Sequence, residues 1–209
     1  MTAKITLING SPRKNRSCNF LVDQAIEGIK ELSEEFEINK IQLSDYELTP
    51  CNGCDACLRP PNDCPLSEKD DMKKLEEILL DTDALIIAAP TYFGSVNSQV
   101  KVLIDRSRPW KMKKYLLKDV IFGPMAAAGL RNMGEGVITD LINFALIQGM
   151  IVVGNNEGSP VIEGNIPITN LQKYNLKEFI GKDETDELAG LIAHDLAKRI
   201  AKLVLKLKK

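Results

Sequence analysis

The stretch Ile5-Thr-Leu-Ile-Asn-Gly-Ser-Pro-Arg-Lys-Asn-Arg-Ser-Cys-Asn19 decides how this chain folds. Its first four residues form an apolar run, which predicts a buried strand. A loop of polar and turn residues follows, and from Phe20 onward apolar residues recur at helical spacing. A strand, a loop and a helix in this order are typical of an α/β protein with a parallel sheet.

The rest of the chain repeats this alternation. Further strands are predicted near residues 36–43, 84–89, 120–127 and 150–153, and helices are predicted between them and over residues 188–207. Residues 158–181 are predicted to be irregular. Five such strands predict a single α/β domain, residues 1–209, with a doubly wound, five-stranded parallel sheet of order 2-1-3-4-5. Ligands of such sheets bind at the carboxyl ends of strands 1 and 3.

Four of the five cysteines lie in one cysteine-rich loop, residues 50–65. They follow the spacing C-x2-C-x2-C-x6-C among Pro, Asn, Asp and Gly residues: Cys51, Cys54, Cys57 and Cys64. Thiolates are soft metal ligands, and two overlapping C-x2-C units with a fourth cysteine before proline favour a [4Fe–4S] cluster. A zinc site, or plain thiols or disulfides, is the alternative. Because this loop follows strand 2, the cysteines are expected beside the ligand site.

The loop after strand 1 predicts an anion site. It combines the hydroxyls of Ser11 and Ser17 and the charges of Arg13, Lys14 and Arg16 with the N-terminus of a helix, whose free N–H groups attract anions. Neither the nucleoside triphosphate fingerprint nor the dinucleotide fingerprint is present, so a single terminal phosphate is the better match. In the alternative interpretation, the serines only cap the helix, and Arg13 and Lys14 are surface charges.

Two more loops at the same sheet edge contain residues that are suited to binding a planar ring. The loop after strand 3 carries Tyr92 and Phe93 beside Gly94, and these aromatic residues could flank a planar group. The loop after strand 4, residues 128–136, contains three glycines that permit close backbone approach. A phosphate site, aromatic side chains and glycine-rich backbone at one sheet edge together predict FMN.

Composition excludes several functional classes. The formal net charge is −2 with 27% charged residues, which argues against nucleic acid as the main partner. No apolar run is long enough for a membrane span and no signal peptide is evident, so a cytoplasmic location is expected. A reducing cytoplasm makes disulfides among the clustered cysteines a poor explanation.

Several other residues have plain interpretations. His194, the one histidine, lies mid-helix, where a surface or packing role is expected. Trp110 is expected to serve packing or a subunit contact. Asp105 and Arg106 are expected to form local surface pairs. Cys18, outside the cysteine-rich loop, is predicted to be a small residue near the helix start, not a nucleophile.

These motifs resemble those of the iron–sulfur flavoproteins, in the NADPH-dependent FMN reductase-like branch of the flavodoxin-like fold. The resemblance covers about residues 4–154, and its most specific part is the cysteine motif. It implies FMN, a [4Fe–4S] cluster on the four loop cysteines, and a homodimer or homotetramer. The implied phosphate ligands are Ser11, Arg13, Ser17 and Asn19. The residues implied around the flavin are Pro90, Thr91, Tyr92, Phe93, Gly94 and Gly129.

Cys18 belongs to the same predicted FMN site, although the family often has threonine or serine at this position. The expected phosphate contacts therefore shift toward Ser17 and the backbone.

The leading hypothesis is an oxidoreductase that passes electrons between the cluster and FMN, with a ferredoxin-like donor or NAD(P)H and a small-molecule acceptor. One alternative is an NAD(P)H-dependent FMN or quinone reductase whose cysteine site is structural or vestigial. A second alternative is a flavin-binding interaction protein that senses redox state.

Overall fold

The computed structural model describes residues 2–129, 133–155, 161–163 and 184–208. The elements follow the order β1 (Lys4–Asn9), α1 (Ser17–Leu32), β2 (Glu37–Gln42), α2 (Met72–Leu80), β3 (Ala84–Tyr92), β4 (Ser95–Val96), α3 (Ser98–Arg106), α4 (Arg108–Met112), β5 (Ile121–Ala128), α5 (Glu135–Gln148), β6 (Ile151–Val152), β7 (Val161–Glu163) and α6 (Glu184–Leu207). Among the described residues, no helix is both long and apolar enough to cross a membrane.

The central sheet is parallel, with the order β2-β1-β3-β5-β6. This confirms the predicted order 2-1-3-4-5, because β4 is a two-residue strand that pairs antiparallel with β3 outside the main path. The chain alternates between strands and covering helices, as expected of a doubly wound fold.

The edge of the sheet differs from the sequence prediction. Within residues 158–181, predicted to be irregular, β7 is a strand that pairs with the carboxyl end of β5. Strand β6 pairs with the amino end of β5, so two short strands share this edge. Residues 158–160 and 164–181 of the predicted irregular segment lie outside the described residues.

Two apolar clusters cover the two faces of the sheet. Helices α1 and α6 pack on one face, and α2 to α5 pack on the other. Side chains alternate between the faces along each strand, so Ile86 joins the first cluster while Leu85 and Ile87 join the second. Strands that are buried on both faces require continuous apolar runs, which explains why the sequence reveals them.

Helix α3 runs along the second face, away from the carboxyl ends of the strands. Just before it, Asn97 donates from Nδ2 to the carbonyl oxygen of Gly10 in the loop after β1, at 2.9 Å. Just after it, the Ser107 carbonyl accepts from Nε2 of Gln148, at 3.2 Å. Gln148 ends α5 and precedes β6, so this end of α3 lies toward the amino ends of the strands. The nine residues of α3 span about 13 Å.

Candidate functional site

The loop between β1 and α1 is fixed by hydrogen bonds from its surroundings. Asn9 Oδ1 accepts from the Ser11 N–H at 3.0 Å, and Ser11 Oγ accepts from the Arg13 N–H at 3.1 Å. At the end of β2, Gln42 Nε2 donates to the Ser11 carbonyl at 2.7 Å. The backbone of this loop is therefore held in shape by the protein itself.

The N-terminus of α1 is open. The helix begins at Ser17 with Arg16 as the N-cap residue, and no side chain caps it. The part of the alternative interpretation in which Ser11 and Ser17 cap the helix is therefore wrong, whereas Arg13 and Lys14 are exposed, as it expects. No acidic residue lies in the first turn, so the free N–H groups and the positive end of the helix dipole remain available to an anion.

The polar side chains near the start of α1 differ in whether they already have a bonding partner. Arg13 is exposed and pairs with no described carboxylate. Lys14 Nζ, by contrast, lies 2.5 Å from an oxygen of Asp45. Asn19 Nδ2 donates to the carboxylate of Asp23 at 2.7 Å. Of the adjacent residues Arg13 and Lys14, only Arg13 has no carboxylate partner among the described residues, so its charge is available to a phosphate.

Cys18 lies in the first turn of α1 but faces the core. Its side chain is buried and packs in the cluster beneath α1 and α6. Burial raises the pKa of its thiol to about 12, so the group is neutral at ordinary pH. Only its backbone is available to a ligand at the helix start.

The β3–β4 hairpin presents two aromatic side chains. Phe93 and Gly94 connect the strands with φ values of 52° and 79°, the left-handed values required by a type I′ turn. Tyr92 and Phe93 are both exposed. An Asp140 carboxylate oxygen on α5 accepts from Ser95 Oγ at 2.5 Å and from the next backbone N–H at 3.1 Å.

The loop after β5 lies against this hairpin. Thr91 Oγ1 donates to the Met133 carbonyl at 2.9 Å. Gly136 has no room for a side chain, because a Cβ there would lie 1.9 Å from the Gly94 carbonyl oxygen. The residues predicted to surround a planar ring thus meet at one edge of the sheet: Pro90, Thr91, Tyr92, Phe93, Gly94 and Gly129. Residues 130–132 of this loop lie outside the described residues.

The four loop cysteines, all free thiols, line one shallow cavity with about 20 Å³ of enclosed space. Cys51 and Cys54 are exposed, whereas Cys57 and Cys64 are partly buried. The left-handed backbone of Asp55, with φ 56°, bends the chain between them. The sequence spacing thus corresponds to one shared cavity.

The spacing of side chains in this cavity tests the choice of metal. Among the described residues, no group of three or more His, Cys, Asp or Glu side chains is close enough to hold one metal ion. Four thiolates around a single zinc, each about 2.3 Å from it, must lie within about 4 Å of one another. The described cysteines therefore share a cavity but do not form a four-thiolate site for a single zinc ion.

One buried arginine ties both flanks of the cysteine-rich loop together. Arg106 Nη1 donates to the Thr49 carbonyl and to Asp70 Oδ2, both at 2.6 Å. Its Nη2 donates to Ser67 Oγ at 3.2 Å. The side chains of Arg106 and Asp70 are 0% and 3% exposed, so solvent does not screen the pair.

The prediction of local surface pairs is therefore wrong for Arg106, whose partner is 36 residues away in sequence. It is correct for Asp105, which pairs with Lys101 one turn earlier on α3. Arg108 also lines the cysteine cavity, and its Nη1 lies 2.7 Å from Asp55 Oδ1.

The cysteine cavity and the loop after β1 lie near opposite ends of α3. Asp105, Arg106 and Arg108 line the cavity, whereas the start of α3 contacts Gly10. The expectation that the cysteines lie beside the ligand site is therefore wrong. Ser44 still bonds to Gln42 near the helix start of α1, but the chain then continues along the sheet to Thr49, beside Arg106.

The remaining predictions of packing roles agree with the structure. Trp110 is buried in the second cluster. His194 packs on α6 against α1, with Nε2 2.8 Å from a carboxylate oxygen of Glu31. The sequence analysis does not single out three side chains that shape the sites, Gln42, Asn97 and Asp140, and it expects only a surface pair for Arg106. A polar residue at the end of a strand or on a helix suggests capping or exposure, so only the tertiary contacts reveal these roles.

The fold and the site define a class. A doubly wound sheet with an open helix N-terminus, an aromatic hairpin and a glycine-rich loop at its carboxyl edge is a flavodoxin-like protein suited to a phosphorylated planar cofactor.

Comparisons with known proteins give the family. Residues 3–159 match the family described as NADPH-dependent FMN reductase. An iron–sulfur flavoprotein of Archaeoglobus fulgidus is 43% identical over 201 residues, which cover 96% of this chain and 94% of the relative. Another from Methanocaldococcus jannaschii is 34% identical, covering 99% of this chain and 100% of the relative. The chain therefore belongs to the NADPH-dependent FMN reductase family, among its iron–sulfur flavoproteins, and is a flavin-dependent oxidoreductase.

Solved structures show the same fold. The NAD(P)H:quinone oxidoreductase from Methanothermobacter marburgensis superposes with a TM-score of 0.69 at 12% identity, covering 96% of this chain and 100% of that one. A WrbA-like flavodoxin from Agrobacterium tumefaciens has a TM-score of 0.60 at 14% identity, covering 99% of both chains. At these identities the likeness concerns the flavodoxin-like fold alone.

Proposed function

We propose that this chain binds FMN and a [4Fe–4S] cluster and passes electrons between them. The observation that carries the proposal is the cavity lined by all four loop cysteines in a chain that also has an uncapped helix N-terminus without acidic residues in its first turn. Family membership supports FMN, and the relatives described as iron–sulfur flavoproteins support the cluster.

The FMN phosphate is proposed to bind at the start of α1. Ser11, Arg13, Ser17 and Asn19, with the backbone of Cys18, would hold it through charge-assisted and neutral hydrogen bonds. The exposed aromatic side chains of the β3–β4 hairpin would flank the ring, while Gly129 and the backbone near Pro90 and Thr91 would border it.

The cluster is proposed to bind to Cys51, Cys54, Cys57 and Cys64. When bound, FMN exchanges one or two electrons and the cluster exchanges one, so the pair can connect one-electron and two-electron partners. The protein's own contribution is to fix the ligands and tune the potentials. Thiolate ligands need a reducing compartment, which supports the proposed cytoplasmic location.

The proposed electron donor is a ferredoxin-like protein or NAD(P)H, and the acceptor is a small molecule. A homodimer or homotetramer is also proposed. The exposed apolar side chains of Leu146, Ile147 and Ile151, at the end of α5 and on β6, support such an assembly because they leave apolar surface uncovered.

Analysis of anaerobically purified protein tests this proposal. We expect about one FMN per chain, together with iron and sulfide in equal amounts and broad visible absorbance beyond the flavin bands. Stoichiometric zinc without sulfide would contradict the cluster. FMN alone, even after anaerobic reconstitution with iron and sulfide, would instead support the NAD(P)H-dependent reductase with a vestigial cysteine site.

A further inference from the structure

The buried guanidinium of Arg106 has three donor nitrogens, and two of them are hydrogen-bonded. Its Nη1 and Nη2 bond to Thr49, Ser67 and Asp70, but its buried Nε has no hydrogen-bond partner among the described residues. Buried polar groups are nearly always paired, so an unpartnered N–H on a buried charge indicates a missing acceptor.

The cysteine cavity is where such an acceptor would lie. Arg106 lines this cavity together with the four cysteines. The side chain of Arg106 is 0% exposed, so solvent does not screen its charge from a negative group bound in this cavity.

We propose that Arg106 is a positioning residue of the cluster site, which donates its free N–H to a sulfur of the bound cluster and thereby raises the reduction potential of the cluster. The inference rests on the proposed function, since it requires a cluster bound to the loop cysteines. Reduction adds one electron, and hence one negative charge, to the cluster. Hydrogen bonds to the cluster sulfurs and nearby positive charge therefore favour the reduced form.

Arg108 provides the contrast. It lines the same cavity, yet its side chain is 40% exposed and is already paired with Asp55. Solvent and that carboxylate screen its charge, so its effect on the cluster should be much smaller. Arg108→Gln removes one positive charge from the same cavity and is the matched control.

The decisive comparison uses a common background. Removing Arg106 alone would leave the Asp70 carboxylate buried without a partner. Asp70→Asn is therefore made first, and Arg106→Gln is added to it. The midpoint potential of each anaerobically loaded protein is measured by redox titration followed by electron paramagnetic resonance, with iron per chain assayed in parallel.

We expect the double variant to have a lower potential than Asp70→Asn, by roughly a tenfold change in the reduced-to-oxidised ratio, about 59 mV for one electron. Arg108→Gln should stay close to the wild type. Equal potentials in Asp70→Asn and the double variant would overturn the proposal, as would an equal or larger shift in Arg108→Gln.

A third variant tests the proposal if the double variant fails to fold or to bind iron. Arg106→Lys keeps the charge but lacks the guanidinium fork, so it should load the cluster at a lower potential than the wild type. A wild-type potential in Arg106→Lys would overturn the proposal. If both Arg106 variants bind FMN but no iron while Asp70→Asn retains its iron, the positioning role is supported. Absence of iron from the wild type would instead defeat the proposed function.

Discussion

At the scale of single residues, the start of α1 separates two neighbouring cations. Lys14 is already paired with Asp45, whereas Arg13 is exposed and has no described carboxylate partner. Adjacent residues of the same charge therefore have different expected roles, and sequence alone gives no reason to distinguish them.

Arg13→Ala should weaken FMN binding by about 1.5–3 kcal/mol, or ten- to a hundredfold, because a charge-assisted contact to the phosphate is lost. Riboflavin, which lacks the phosphate, should bind more weakly than FMN to the wild type and equally to both proteins. Fluorescence quenching measures these affinities. Lys14→Ala is the matched control and should change FMN affinity much less. Equal binding of the two flavins by the wild type would rule out this phosphate site.

We expect the four loop cysteines to be needed for iron binding and the buried Cys18 not to be. Cys54→Ser should lose iron while FMN stays bound, because the serine hydroxyl is a poor replacement for a thiolate ligand. Cys18→Ala should keep the iron, and its buried neutral thiol should resist iodoacetamide in the folded wild type. Iron assay and mass spectrometry after alkylation give both results. Loss of iron from Cys18→Ala, with the fold intact, would contradict this division.

At the scale of elements, the sequence predicts the long buried strands well because each is a continuous apolar run. It does not predict β4, since Phe93-Gly94 lacks the usual Asn-Gly or Asp-Gly signature of a type I′ turn. Nor does it predict β7, whose three residues are too short for a periodic pattern. Short strands depend on a neighbour to pair with, and the sequence does not show that neighbour.

Gly136→Ala should weaken FMN binding although alanine favours helices. Its Cβ would meet the Gly94 carbonyl oxygen at 1.9 Å, so the aromatic hairpin must shift away from α5. Overpacking of this kind typically lowers the free energy of unfolding by about 1–3 kcal/mol. A titration with FMN measures how far the binding affinity falls. Gly154→Ala is the control, since nothing lies within 4 Å of a Cβ there. Unchanged FMN affinity in Gly136→Ala would show that the hairpin does not border the flavin.

At the scale of the whole molecule, the sequence predicts which loops matter but not how they are arranged. The order of the strands brings the first and third strand loops together, as expected. The cysteine-rich loop departs from this rule because its flanks are held by Arg106 at the far end of α3. That contact joins residues 36 apart in sequence, and no local pattern encodes it.

Reduced ferredoxin, or a similar one-electron donor, should reduce FMN rapidly only when the cluster is present. Direct reduction by NAD(P)H should be slower, because the chain has no dinucleotide fingerprint. Anaerobic stopped-flow absorbance of the wild type and of Cys54→Ser measures both reactions. Equal rates of FMN reduction by the one-electron donor in the two proteins would refute a route through the cluster.

The placement of the two sites at opposite ends of α3 also makes them structurally separable. Residues 46–71 leave the flavin edge and return to α2 without supplying any residue predicted to hold FMN. The cysteine cavity is therefore an addition to one end of α3, and the residues predicted to hold FMN are provided by other loops of the same sheet.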